Sequence, residues 1–114
     1  LTNWRKGIAP MDEYQLLLTE RAKDDIIDIG DYIFYVLLQP DISKNFIKNL
    51  RNSISKLKKF PYKFPIIQDK ILKEKGIRYM PYKNYFIFFE IVESMHVVIV
   101  LRIGYNKRNW MDIL

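Results

Sequence analysis

Pro40 interrupts a run of three- and four-residue apolar spacing that otherwise extends from Ala22 to Leu57. A proline inside a helix removes one backbone hydrogen bond and clashes with the preceding turn, so this run cannot be a single helix. It divides into two. From Glu20 to about Gln39, the residues Ala22, Ile26, Ile29, Ile33 and Val36 or Leu37 recur on one face. After Pro40-Asp41, a second stripe is marked by Ile42, Phe46, Leu50, Ile54 and Leu57, with Lys44, Lys48, Arg51, Asn52 and Lys58 on other faces. The prolines of "FPYKFP", Phe60 to Pro65, end the second helix. So short a break between the two predicts an antiparallel hairpin. Thr19 is suited to cap the first helix, with Glu20 beside its positive end. Gly30 inside that helix costs about 1 kcal/mol of propensity.

Strands flank the hairpin. Tyr14 to Leu18 reads as one, and Ile77 to Pro81, Tyr85 to Val92 and His96 to Ile103 as three more, with turns at "YKN" and "ESM". The basic, mixed stretch from Ile66 to Gly76 predicts a loop with a short strand or turn. Pro81 cannot donate to a ladder and belongs near a strand end or sheet edge. The fold class is α+β: an N-terminal strand, a two-helix antiparallel hairpin, then a three-strand antiparallel meander with a short C-terminal tail, the helices lying on one sheet face. Side-chain alternation directs Val97, Ile99, Leu101 and Ile103 toward the helices, and places Arg78, Glu90 and Arg102 together on the helix-free face. There they either bind an anionic partner or satisfy one another as ion pairs.

A chain of 114 residues supports one domain, here 11–114, with residues 1–10 read as a flexible leader or an expression remnant. With no cysteine there is no disulfide framework, which fits a reducing cytoplasm. "LTNWRKGIAPMDEYQ" lacks the apolar core of a secretory signal, and no apolar run approaches the roughly 18 residues that span a bilayer, so no membrane partner is expected. The net charge of +6 is unevenly spread. Between Lys44 and Lys83 cations dominate, with Asp69 and Glu74 the only acids, whereas Asp12, Glu13, Glu20, Asp24, Asp25, Asp28 and Asp31 crowd the first part. This predicts an anionic partner surface or, equally, a solvated lysine-rich helix. No His/Asp/Glu group has metal-ligand spacing and no glycine-rich loop is present, so neither a metal nor a cofactor is expected.

Four stretches, "LTERAKDDIIDIGDYI", "FIKNLRNSISKLKKFP", "GIRYMPYKNYFIFFEIVE" and "VVIVLRIGYNKRNW", occur in an order that resembles the RelE/ParE superfamily of bacterial type II toxins, from about Tyr14 to Leu114. The resemblance rests on a combination: Ala22-Lys23-Asp24 opening the first helix, Phe60-Pro61 closing the second, Arg78 ahead of the aromatic strand at Tyr85, and Leu101-Arg102-Ile103 leading to Tyr105, Arg108 and Trp110. It implies a growth-inhibiting toxin made with a cognate antitoxin protein, whose C-terminal segment wraps it. RelE-like members enter the ribosomal A site and cut mRNA, while ParE-like members poison DNA gyrase.

Cutting RNA through its 2′-hydroxyl needs a base, charge stabilisation at the phosphate and an acid for the leaving oxygen. On the RelE-like pattern Arg78, Arg102 and Arg108 would hold phosphate charge, Tyr105 would stack or orient, and Lys107 or a loop lysine would take the proton. Lys70, Lys73, Lys75, Lys83, Glu90 and Trp110 would contact substrate or partner. The single histidine, His96, sits at a strand start, so the Glu/Arg/His/Tyr version of the site is not matched. The expectation is a metal-independent, ribosome-dependent mRNA endoribonuclease. The alternatives are a gyrase poison and a non-toxic basic binding domain of the same fold.

Overall fold

Thr19 stands where the first strand becomes a helix, and its hydroxyl joins the two halves of the molecule. The computed structural model describes residues 13–105 and 114. In it Thr19 Oγ1 accepts from the Ala22 N–H at 3.0 Å and donates to the Leu101 carbonyl at 2.8 Å. One side chain thus caps a helix, a role worth about 1 kcal/mol, and ties that helix to a distant strand. The elements are β1 (Gln15–Leu18), α1 (Glu20–Asp31), α2 (Pro40–Ser55), α3 (Lys70–Glu74), β2 (Arg78–Tyr82), β3 (Tyr85–Val92) and β4 (Val97–Tyr105). The sheet order is β1-β4-β3-β2, with β1 parallel to β4 and the other pairs antiparallel. Among the described residues no helix is long and apolar enough to cross a membrane.

The hairpin forms as the spacing predicts, with two differences. α1 ends at Asp31, and Tyr32–Val36 continue as a wider π-turn in which the Leu37 N–H reaches the Tyr32 carbonyl. Leu38 then adopts φ +55°, where a glycine would ordinarily stand, so Val36 and Leu37 face solvent rather than the core. In α2 the stripe is rotated: Ile42 is 54% exposed, and Ser43 is buried in its place. Ser43 is satisfied there because its hydroxyl donates to the Gly30 carbonyl at 2.6 Å. Gly30 permits this approach, since a β-carbon on it would lie 3.2 Å from Ile47 Cγ1.

The sheet faces differ from simple alternation because β4 carries a bulge. Phe88 pairs with Arg102 and Phe89 with Val100, which leaves Leu101 as an extra residue. Val98, Val100 and Ile103 therefore share the helix side with Met80, Ile87 and Phe89, against Ala22, Ile26, Ile29, Leu50 and Ile54. Val97, Ile99 and Leu101 do not join that cluster, contrary to the alternation. The opposite face is not open either. Ile67, Leu72, Ile77 and Phe88 form a second core there, with Leu101 and Leu114 packed against it. Its lid is α3, where the sequence pattern predicts a loop with a short strand or turn rather than a helix. Asp69 caps α3 by accepting from the Ile71 and Leu72 N–H groups, both at 3.1 Å.

Candidate functional site

Arg102 leaves β4 at the bulge, and its guanidinium is taken up by Asp25 on α1. Nε and one terminal nitrogen donate to the two carboxylate oxygens at 2.9 and 3.0 Å, a paired geometry in which both side chains are mostly buried. The same carboxylate accepts from the Ile103 N–H at 2.9 Å. That N–H lies past the last residue that β1 covers, so Asp25 also completes the edge of β4. Hydrogen bonding to Asp25 raises the already high pKa of Arg102 further.

Beside this junction runs a shallow groove of about 320 Å³ on the α3 side, lined in part by Arg21, Lys75, Glu90 and Arg102. Two expected contact residues, Lys75 and Glu90, thus meet the expected catalytic Arg102. Arg21 joins them without any sequence signal, as an exposed residue in the first turn of α1. Lys70 and Lys73 are exposed on α3, and Lys83 occupies the β2–β3 turn at φ +52°. Tyr105 is exposed at the end of β4, edge-on to Tyr85 at 5.4 Å. Lys107, Arg108 and Trp110 lie outside the described residues.

Arg78 does not join this group. Its partner in the ladder is Phe89, on the helix side of the sheet, and its guanidinium donates to the Phe64 carbonyl at 2.6 Å and lies 5.0 Å from the Tyr62 ring centroid. The expected trio of Arg78, Glu90 and Arg102 on one face is therefore divided. Arg78 is also two strands away from Arg102, roughly 10 Å between strand axes.

Around Tyr62 lies a cluster that sequence reasoning missed. Tyr14 and Tyr62 both donate to Glu93 Oε1 at 2.7 Å, His96 Nδ1 is 3.5 Å from Glu93 Oε2, and the Tyr14 and His96 rings stack at 3.9 Å. The two hydroxyls hold the Glu93 carboxyl below its usual range, and Glu93 in turn pushes Tyr14 up to about 12 and raises Tyr62. Tyr14 and Glu93 are far apart in sequence, and no local pattern relates them. A second missed feature is the apolar tip of the hairpin, where Phe34, Tyr35, Val36, Leu37, Leu38 and Ile42 are all exposed. Contiguous apolar exposure of this kind marks an interaction surface.

The family model for the ParE toxin of the type II toxin–antitoxin system, parDE, matches residues 16–110. Among solved structures, the chromosomal ParDE TA system from P. aeruginosa has a TM-score of 0.70 at 16% identity, covering 84% of this chain and 99% of that one. The toxin–antitoxin complex RelBE2 from Mycobacterium tuberculosis has a TM-score of 0.56 at 14% identity, covering 84% of this chain and 94% of that one. At these identities the likeness is one of fold. None of the curated proteins matches the sequence significantly.

Proposed function

The chain belongs to the ParE toxin family of type II toxin–antitoxin systems, and from that premise we propose that it arrests growth by poisoning DNA gyrase rather than by cutting mRNA. The order of the two readings reverses because of one observation: two of the three arginines that the sequence offers for one phosphate, Arg78 and Arg102, are directed apart. RNA cleavage without a metal needs several cations within a few ångströms of a single phosphate. Arg102 is held by Asp25 on one side of the molecule, and Arg78 by the Phe64 carbonyl and the Tyr62 ring on the other. Both serve the fold. A toxin that works by binding a protein needs a surface rather than convergent cations, and the groove beside Arg102 and the apolar hairpin tip supply surfaces of that kind.

A cognate antitoxin is the second partner of this reading. The solved neighbours are named as toxin–antitoxin assemblies. The exposed tip from Phe34 to Ile42 is where an apolar antitoxin segment would be buried, with the cations after Lys44 facing its acidic residues.

Induced expression in bacteria, with mRNA 5′ ends mapped alongside plasmid supercoiling, separates the readings. The expected result is intact mRNA with DNA breaks or altered supercoiling. New 5′ ends inside translated codons, with normal supercoiling, would reinstate the nuclease and direct attention to the tail from Tyr105 to Arg108.

A further inference from the structure

At the end of α2 the chain tightens into two 3₁₀ turns, Lys56–Lys58 and Pro61–Lys63. Leu57 and Pro61 are buried and anchor the segment to the core. The intervening side chains are thereby turned outward around a cleft of about 480 Å³, whose lining among the described residues includes Lys56, Lys58, Lys59 and Lys63 with a single acid, Glu13. Backbone hydrogen bonds set its walls: the Tyr14 N–H donates to the Lys58 carbonyl, the Lys59 N–H to that of Lys56, and the Lys63 N–H to that of Phe60. Among the described residues none of the four lysines has a carboxylate within ion-pair distance. Phe60, on the rim among them, is 69% exposed. Phe64 forms part of the inner wall, edge-on to Phe89 with its ring centroid 6.4 Å away, and the Lys63 ammonium stands 5.6 Å from the Phe64 ring.

We propose that this cleft binds the backbone of a single-stranded nucleic acid, with the lysines on its phosphates and Phe60 stacked on an unpaired base. Three observations converge on that ligand. Among the described residues, four ammonium groups against one carboxylate make a strongly positive concavity, which attracts a polyanion. All four cations are lysines. A lysine binds a phosphate as a point charge without a fixed planar geometry, which suits contact with a flexible backbone irrespective of base sequence. The Phe60 ring is largely exposed, and an aromatic face beside a cationic groove is what an unstacked base requires. In a duplex that base would be paired and stacked, so the single strand is preferred. The cleft is separate from the groove at Arg102, and the inference does not depend on which cellular target the toxin strikes.

The test is fluorescence anisotropy of the full chain with a labelled oligothymidylate of roughly ten nucleotides, a length within the range that single-strand grooves occupy. Replacing Lys56, Lys59 and Lys63 together by alanine should weaken binding at least roughly tenfold. It should also make the slope of log K against log salt shallower by about 2 units, since each single-strand phosphate contact contributes about 0.7. Phe60→Ala should weaken binding roughly tenfold with the slope unchanged, because stacking releases no counterions. All four side chains lie at the surface, so melting curves of the variants should overlay that of the parent. Wild-type affinity and slope in the triple variant would overturn the proposal. So would tighter binding of polyglutamate than of the oligonucleotide, which would assign the cleft to an acidic protein segment.

Discussion

Two carboxylates tie the helical half of the molecule to the sheet, and the surroundings of each decide what the tie is worth. Asp25 accepts three hydrogen bonds, two from Arg102 and one from the Ile103 N–H, in a site where its side chain is only 12% exposed. Glu93 accepts from two tyrosine hydroxyls and faces His96, yet its side chain is 57% exposed. The connectivity is alike. Water competes for every bond at Glu93 and for few at Asp25, so loss of the first is partly repaired by solvent and loss of the second is not. One junction is a structural rivet, and the other is a tie that pH can loosen.

The largest effect is expected at the buried junction. Asp25→Ala removes three hydrogen bonds from a mostly buried site, two made by Arg102 and one by the Ile103 N–H, and should cost about 3 kcal/mol in urea unfolding. Arg102→Ala leaves Asp25 still bonded to the Ile103 N–H, and should cost less, about 1 to 2 kcal/mol. Equal losses would mean that the pair acts as one unit and that the backbone bond carries little. This ordering also bears on toxicity. If Arg102→Ala with Arg108→Ala abolishes growth arrest, the unfolding midpoint must be measured before any chemical role is read from it, because Arg102 holds the fold together.

The contrast between the junctions also shows what was legible in the sequence. The hairpin was readable because its signals are local: Thr19, Pro40 and the two prolines of "FPYKFP" punctuate a clear three- and four-residue spacing. The strands were readable for the same reason. The sheet faces were not, since a single inserted residue at Leu101 inverts the alternation after it, and the residue types around a bulge look like those of an unbroken strand. α3 was too short to show a helical period, although Asp69 ahead of it was a usable cap signal. Among the candidate site residues, Lys75, Glu90 and Arg102 do meet in one groove, but Arg78 falls on the other face. Asp25 and Tyr14 lie at the opposite end of the chain from Arg102 and Glu93, and one sequence carries no pattern that links Asp25 to Arg102 or Tyr14 to Glu93.

The exposed junction offers a smaller effect with a signature in pH. Tyr62 and Tyr14 donate to Glu93 and hold its carboxyl below the ordinary value of 4.5, so the stabilisation is complete above that value and is lost as pH falls through the lowered one. Glu93 pushes Tyr14 up to about 12 from 10.0, so on the alkaline side the stabilisation is complete below 10 and is lost as pH rises through about 12. Glu93→Gln should therefore lower the melting temperature by less than either change at the buried junction. The difference from wild type should be widest between these limits and shrink beyond both. A difference independent of pH would mean that Glu93 acts through shape and not charge, and the contrast with Asp25 would lose its electrostatic basis.

The smallest effect belongs to a position outside both junctions, and it calibrates them. Replacing Gly30 with alanine removes the glycine penalty of about 1 kcal/mol in a helix interior. The added carbon would meet Ile47 at 3.2 and 3.4 Å and Ser43 Oγ at 3.6 Å, so part of that gain is returned as crowding between α1 and α2. Ile47 is only partly buried and its side chain can shift, so Gly30→Ala should change stability by less than about 1 kcal/mol. Shortening the neighbour separates the two contributions. On an Ile47→Ala background both close carbons are removed, the crowding should fall, and Gly30→Ala should then stabilise by up to about 1 kcal/mol. If it destabilises on both backgrounds, the spacing of the helices is set by the Ser43 hydroxyl on the Gly30 carbonyl, a short bond that tolerates no displacement. The helical layer would then contain a third polar tie, buried like the one at Asp25 and as costly to disturb.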